Sequence, residues 1–495
     1  MKISLNLFNL CRKVFLSRTK AKNRIMKKYY VLLCVICTSV MCQTQKQDLA
    51  QNKKFVEAAA LFKQYCASCH GADAPVFVDR EWKHGSTKAE LIRSITSGYP
   101  DAGMPTWGAT LQPAQINELA DYLAVAMEHR KSFDFKEKSS SNIFTDASQS
   151  VKLDTIAKGI NAPWGMAYLP DGDLLFTDKG GAFYRVGKQR EKQLIQGTPV
   201  VWAEGQGGLL DVELHPKFAE NKLIYLSYSK PMESAGKGYA TTAVLRAKLE
   251  GIQLSEQKDI FIAQPAVKAQ YHFGSRLEFD KNGYLYVTVG DRGQHEPLLP
   301  QKLDNDCGKV HRMMDDGTVP ADNPFVKVAN ARGTIWSYGH RNLQGMAMNP
   351  ETGEIWTHEH GPRGGDEVNI AQKGKNYGWP VISYGINYNG TILTPLTKQE
   401  GMEQPLTYYV PSIAPCGATF VTGDHYPTWK GSFLIGSLRF KYLNRCVVSE
   451  HKIIAQEQLL KNIGRVRFIE MGRDGYLYIG VENPGYIFRL MPIKK

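Results

Sequence analysis

The feature that most constrains this chain is a repeat. From residue 151 onward one pattern returns: an apolar strand, a turn built on Asp-Gly, Asn-Gly or Pro, and a second apolar strand. It occurs at 165–178, 209–228, 275–291, 345–359, 417–437 and 466–482. Six copies in about 340 residues give a unit of about 57, the size of a blade, and predict an all-β, six-bladed β-propeller. A pair of β-sandwiches would not explain the regular spacing. A propeller gathers the same end of every blade around one opening, so residues far apart in sequence share a site there.

One of these hairpins carries a candidate chemical pair. In YHFGSRLEFDKNGYLYVTVGDRG, residues 271–293, strands are expected over 276–280 and 284–289, with Lys281-Asn282-Gly283 as the turn. In an antiparallel pair, the residue entering the first strand and the residue leaving the second lie at the same open end. Those residues are His272 and Asp291. A carboxylate within reach of an imidazole fixes its tautomer and prepares it to take a proton.

The chain has 495 residues and 43% hydrophobic content, enough for more than one domain with a substantial core. Its net charge of +13 suggests a polyanion partner until its distribution is read. Nine of those positives fall in residues 1–42, where there is no Asp or Glu, which leaves a balance of only +4. The basic character therefore belongs to targeting, and no nucleic-acid partner is expected. Residues 29–41 form an apolar run of 13 behind Lys27-Lys28, too short to span a bilayer and right for a signal-peptide core. The expectation is a leader over 1–42 and an exported, periplasmic protein. Cys42 is a candidate lipidated first residue and hence a candidate membrane anchor, although Ser39 and Met41 suit a lipobox poorly.

Residues 52–130 read as a small all-α domain. A helix-like run over 53–66 leads into Cys66-Ala67-Ser68-Cys69-His70. Two thiols separated by two residues and followed by histidine form the covalent haem c attachment pattern. No second CxxC completes a zinc site, and the strands of a thioredoxin-like site are not evident. Met104, between Gly103 and Pro105, offers a thioether on a stiff loop before an amphipathic helix over 112–127, with His84 and His129 as weaker alternatives. This order resembles the class I cytochromes c. The resemblance implies His70 and Met104 as axial ligands, a pair that raises the haem potential and suits an electron acceptor. Residues 131–150 are polar and serine-rich, a linker composition, and the propeller is expected over 151–495.

Polar groups concentrate at the blade ends: Gln206, Arg341-Asn342, Glu359-His360-Gly361-Pro362, and Arg465 with Arg467. Such a ring suits a small anionic cofactor with a metal. The stretches WSYGHRNLQGMAMNP, THEHGPRGGDEVNIAQKGKNYGWP and HFGSRLEFDKNGYLYVTVGDRG resemble the soluble aldose sugar dehydrogenases that use pyrroloquinoline quinone (PQQ), the glucose/sorbosone dehydrogenase family. That resemblance implies His272 as the base for the anomeric hydroxyl, Asp291 as its orienter, and Arg341 as the group stabilising charge as hydride leaves C1 of the sugar. It implies Gln206, Asn342, Tyr388, Arg465 and Arg467 as cofactor contacts. Calcium beside the quinone would be held by the main-chain oxygens of Gly361 and Pro362, and a structural calcium by Glu367 and Tyr377, with Asp366 a solvated or structural neighbour. Arg439 stands where the family often has lysine, with Lys441 nearby.

Both domains together imply sugar oxidation to the lactone, with electrons passing to the tethered haem and then to a downstream periplasmic acceptor. Two alternatives use the same fold. A calcium-dependent lactonase would need carboxylate or asparagine ligands in the channel and has no use for a haem. A non-catalytic binding module would lack the base or the cofactor arginines, which are present. Cys416 and Cys446 could bridge, and no catalytic role is assigned to them or to Cys307.

Overall fold

In the computed structural model, each repeated hairpin becomes the first two strands of its own antiparallel sheet. The structure describes residues 54–66, 84–99, 104–128, 142–145, 149–268, 271–293, 297–388, 391–482 and 484–493. The leader with Cys42, the haem-motif residues Cys69 and His70, His129 and residues 131–141 lie outside the described residues.

Five sheets have four strands, and their first strands are Pro163–Tyr168, Leu209–Leu214, Leu277–Phe279, Leu343–Met348 and Pro415–Phe420. The sixth begins with Arg465–Met471 and has five strands. Two of these come from the other end of the chain: Ser150–Lys158 pairs with Tyr486–Ile493, and Ile143–Thr145 pairs outside it. Closing the last blade with an early strand joins the ring by backbone hydrogen bonds and leaves no open seam. The stretch expected as linker thus already enters the sheet at Ile143.

First strands touch one another in sequence around the whole ring, the sixth against the first, so the protein is a six-bladed β-propeller. Six apolar clusters lie one between each pair of neighbouring blades, and Trp164, Leu210, Ala240 and Phe273 form a smaller seventh. Trp356, Phe420 and Phe433, for example, fill the space between the fourth and fifth, while Met166, Phe176, Phe468 and Ile487 fill that between the sixth and first. Strands buried on both faces read as near-continuous apolar runs, which is why Leu174–Asp178, Leu285–Val289 and Phe433–Ser437 are buried throughout.

Among its described residues the amino-terminal region is helical. Helix α1, Val56–Leu61, continues as a π-helical turn, Phe62–Cys66. Helix α2, Lys88–Ser97, starts at a capping box in which Thr87 and Glu90 satisfy each other's backbone N–H. Helix α3, Pro113–Glu128, packs on both, with Tyr122 against Phe55 and Phe62. No described helix is long and apolar enough to cross a membrane.

Candidate active site

The hairpin with strands Leu277–Phe279 and Leu285–Val289 places its two ends as the pairing geometry predicts. The Asp280 carboxylate accepts from the N–H groups of Asn282 and Tyr284, both at 2.9 Å, and Gly283 takes the left-handed position of the turn. At the open end His272 Nδ1 lies 2.5 Å from Asp291 Oδ1. Both side chains are buried. The histidine has a φ of 60°, a strained conformation for a residue with a Cβ. Its backbone is gripped from two sides: Gln206 Oε1 accepts from its N–H at 2.8 Å, and Arg292 Nη1 donates to its carbonyl at 2.7 Å. Gly290 is required here, because a Cβ would sit 2.1 Å from the His272 carbonyl oxygen.

Burial pushes the His272 pKa below the ordinary imidazole value, with Arg341 and Arg292 adding to the effect and Asp291 opposing it. Burial would raise the Asp291 carboxyl, but His272 and Arg341 outweigh it and hold it below its usual range. Its remaining oxygen, Oδ2, accepts from the indole N–H of Trp379 at 2.7 Å.

Arg341 is fixed from behind. Its backbone N–H donates to Glu359 Oε2 at 2.5 Å, and its carbonyl accepts from Asp291 N at 2.7 Å. Nη1 donates to the carbonyls of His360 and Gly361 at 3.0 and 2.7 Å, Nη2 reaches Tyr388 Oη at 3.4 Å, and the guanidinium lies 5.2 Å from the Trp379 ring. Gln206, His272, Asp291, Arg341, Asn342, Gly361 and Tyr388 are therefore one connected constellation. Two buried donors within it, Arg341 Nε and Asn342 Nδ2, have no hydrogen-bond partner among the described residues. Buried donors left open in this way suit an acceptor-rich ligand such as PQQ, so the residues fit the cofactor that the resemblance implies.

The other expected contacts form adjoining groups. Arg465 Nε donates to Glu482 Oε2 at 3.2 Å and Arg467 Nε to Glu482 Oε1 at 2.7 Å. Burial alone would raise the Glu482 carboxyl, but the two guanidiniums bring it down to about 2. Arg439 Nη1 donates to the Ser412 carbonyl at 3.0 Å, and Arg465 Nη1 to that of Leu438. Pro362 is buried beside Gly361, whose N–H donates to Asp366. Asp366 is a structural neighbour and not a solvated one: it is fully buried and also accepts from Ser412 Oγ, Ile413 N and Ala414 N. Glu367 and Tyr377 stand apart from this group. Asn369 Nδ2 bridges Glu367 to Glu359, while Tyr377 stacks on His340 at 4.5 Å, and His340 in turn meets Glu359 at 2.9 Å.

Cys416 and Cys446 are both free thiols. They belong to different surroundings: Cys446 lies in the apolar cluster between the fourth and fifth blades, whereas Cys416 Sγ faces Arg276 and the Arg467 carbonyl. Arg276, Arg292, Trp379 and Glu482 escaped the sequence reading, although all four lie in the quoted motifs or repeats. The channel does carry carboxylates, Asp211, Glu213, Glu278 and Glu470, around a cavity of about 20 Å³. Among the described residues no group of three or more His, Cys, Asp and Glu side chains is arranged to hold a metal ion.

In the helical region Cys66 is the last residue of the π-helical turn and is partly exposed. Met104 is tied by backbone hydrogen bonds in both directions to Tyr99, at 2.8 and 3.0 Å. Tyr99 stacks on His84, and Trp107 is buried against Tyr65. In a class I haem site the cysteine thiols attach the haem covalently and a methionine thioether is one of the two axial donors.

Comparison with known proteins gives two family matches. Residues 160–489 match the family described as glucose / sorbosone dehydrogenase, and residues 54–123 match cytochrome c oxidase, cbb3-type, subunit III. The chain is 42% identical over 356 residues to aldose sugar dehydrogenase YliI of Escherichia coli (strain K12), covering 70% of this chain and 94% of that protein. The crystal structure of the apo form of the soluble aldose sugar dehydrogenase from Escherichia coli superposes with a TM-score of 0.66 at 38% identity, over 69% of this chain and 100% of the other. The PQQ-bound form of aldose sugar dehydrogenase from Streptomyces coelicolor superposes with a TM-score of 0.58 at 28% identity, over 70% and 99%.

Proposed function

The chain belongs to the glucose/sorbosone dehydrogenase family, and from that premise we propose that it is an exported quinohaemoprotein that oxidises an aldose at C1 to the lactone. It would use PQQ and calcium and pass electrons to haem c held by Cys66 and Cys69. The observation that carries this reading is the buried His272–Asp291 pair beside Arg341, with Arg341 Nε and Asn342 Nδ2 left as open donors.

When bound, PQQ supplies a hydride acceptor, calcium a polarising charge and haem c a one-electron acceptor. The protein's own part starts at His272. An ionised Asp291 can only accept, so it holds a proton on Nδ1 and leaves Nε2 as the basic nitrogen. Burial keeps the imidazole neutral and ready to take the anomeric proton. Arg341 offers positive charge where negative charge develops, in a site from which water is largely excluded. Asn342, Gln206 and Tyr388 complete the rim, and Arg465 and Arg467, held in register by Glu482, present cations to carboxylates. Arg439 is a further cationic contact. The main-chain oxygens of Gly361 and Pro362 would hold one calcium, and Glu367 with the Tyr377 carbonyl a second. His70 and Met104 would be the axial haem ligands. In balance, an aldose oxidised to its lactone gives up two electrons and two protons: His272 takes the proton from O1, bound PQQ would supply the acceptor for the hydride, and the two electrons would go singly to haem c and a periplasmic carrier while both protons go to solvent.

An absorption spectrum tests this. Oxidised protein reconstituted with PQQ and calcium is mixed with a panel of aldoses, and the haem bands are followed. Haem reduction that needs quinone, calcium and sugar together, and that vanishes in His272→Ala, is the expected result. Reduction of an artificial dye without reduction of the haem would remove the relay and leave the dehydrogenase; reduction of neither would remove both.

A further inference from the structure

Five of the seventeen large hydrophobic side chains exposed among the described residues fall between positions 386 and 410, so this stretch holds more open apolar surface than any other of its length. Ile392 is 72% exposed, Val410 63% and Tyr408 46%, with Ile386 and Leu396 beside them. Their common neighbour is the turn after Pro362. Arg363 pairs with Ile386 through backbone hydrogen bonds at 3.0 and 3.3 Å, Gly364 packs on Val410, and Gly365 N donates to the Tyr409 carbonyl at 2.8 Å. Tyr408 is stiffened by stacking on Tyr384 at 3.8 Å.

Into this setting Arg363 extends a guanidinium whose Nη2 donates to the main-chain carbonyl of Gln64. Gln64 lies in the last turn of the helical segment Val56–Cys66. The final four carbonyls of a helix lack intrahelical partners and carry the negative end of its dipole, so an arginine is the residue type that suits them. Gln64 is two residues from Cys66, about 3 Å along a helix axis. Arg363 is two residues from Gly361, whose carbonyl is held by Arg341. One arginine thus ties the end of the cysteine-bearing helix to the turn that meets the candidate base site.

We propose that Arg363 is the anchor by which this chain's own helix Val56–Cys66 docks on the surface of Ile386, Ile392, Tyr408 and Val410, which the helix, met here at Arg363, leaves exposed, so that the Cys66 end comes beside the opening at Arg341 and Gly361. This rests on the quinohaemoprotein reading for its purpose but not for its geometry. The seat combines an arginine, a tyrosine and aliphatic side chains, and arginine and aromatic residues are types enriched at interfaces.

Two full-length variants test it, Arg363→Glu and Val410→Asp, each loaded with PQQ and calcium. Sugar-driven haem reduction, followed by stopped flow, should slow about tenfold or more in each, while sugar-driven dye reduction stays within about twofold of the parent, a tenfold loss being the scale of one lost charge-assisted hydrogen bond. Haem reduction at the parental rate in both variants overturns the proposal. Independently of any activity, a benzophenone amino acid at position 386, which leaves Arg363 in place, should crosslink on illumination to the peptide spanning 56–66 of the same chain. Crosslinks elsewhere, or to a second copy, also overturn it. If the parent reduces neither dye nor haem, the functional reading fails, and the crosslink still decides where the helix docks.

Discussion

The indole N–H of Trp379 donates to Asp291 Oδ2 at 2.7 Å, so the carboxylate that faces His272 is held at both oxygens. Gly293 N also donates to Oδ1 at 2.8 Å. Trp379 is itself fixed, its N–H donating to the Gly339 carbonyl and its own carbonyl accepting from Gln301 Nε2 at 2.7 Å. It acts as a positioning residue, since its contact with a reacting group runs through Asp291. Trp379→Phe keeps a ring against Arg341 and removes only the donor. A hydrogen bond to a charged group contributes about 1.5–3 kcal/mol, so kcat should fall about tenfold or more with KM little changed. In the apo protein, one hydrogen-bonded indole proton should disappear from the NMR spectrum. An unchanged kcat would mean that His272 and Gly293 suffice to orient the carboxylate.

The acid limb of the pH–rate profile follows from the direction of the His272 shift. The neutral imidazole is the active form, and its pKa is lowered chiefly by burial. Activity should therefore persist below the pH at which an exposed histidine would protonate, and kcat/KM should rise along a single limb lying under pH ~6.5. Asp291 opposes that lowering, so Asp291→Asn moves the limb to still lower pH. It also cuts the plateau by about a hundredfold or more, because the orientation and tautomer of the ring are lost. A limb that moves upward in the variant would contradict the assignment of His272 as base.

Much of this architecture could be read in the sequence because the signals are local. Apolar alternation with Asp-Gly and Asn-Gly turns marks each inner hairpin, and strand geometry alone brings His272 and Asp291 to one end. Helix α2 was missed, although Thr87 and Glu90 have the spacing of a capping box. What else escaped depends on register or on long-range packing. Glu482 stands directly across from Arg465 in the last blade, a cross-strand pair of opposite charge that emerges only once the strands are aligned. Trp379 meets Asp291 across 88 residues, a contact no local pattern encodes. The outer strand Ile143–Thr145 pairs with a closing strand that itself pairs with the far end of the chain, so nothing local marked it within the polar stretch.

The channel carboxylates make stability depend on pH. Burial, reinforced by neighbouring carboxylates, raises Glu213 and Glu470 well above the usual range and brings Glu278 up to about 8. A carboxyl raised in the folded state binds its proton more tightly there than when unfolded. Its contribution is present at low pH and is lost as pH rises from about 4.5 towards about 8. Buried Lys309, lowered by burial to about 7, works in the opposite direction above that pH, so the parent's curve alone is ambiguous. The difference between Glu278→Gln and the parent isolates one group. The melting temperature of the variant relative to the parent should climb through this window and level off beyond about pH 8. A difference that is flat with pH would show Glu278 to be ionised throughout.

Arg276 provides the last prediction, because its guanidinium reaches every other blade. Nε donates to the Gln344 carbonyl at 2.9 Å, Nη1 to that of Trp164 at 3.2 Å and Nη2 to that of Arg467 at 2.8 Å. The Asp211 carboxylate is 3.4 Å away, Cys416 Sγ 3.5 Å, and the Trp164 ring lies under the charge at 3.9 Å. These partners belong to the first, second, fourth, fifth and sixth blades, so a single side chain from the third closes the hub above the carboxylate-lined cavity. Removing it leaves Asp211 as a buried, uncompensated acid whose carboxyl burial already raises. Arg276→Met should therefore cost about 3–5 kcal/mol in urea unfolding, the scale for breaking a buried charge pair. Adding Asp211→Leu should recover part of that loss, since the second change removes the stranded charge. Loss of under about 1 kcal/mol in the single variant, the scale of an exposed ion pair, would show that the inter-blade apolar clusters hold the ring without the hub.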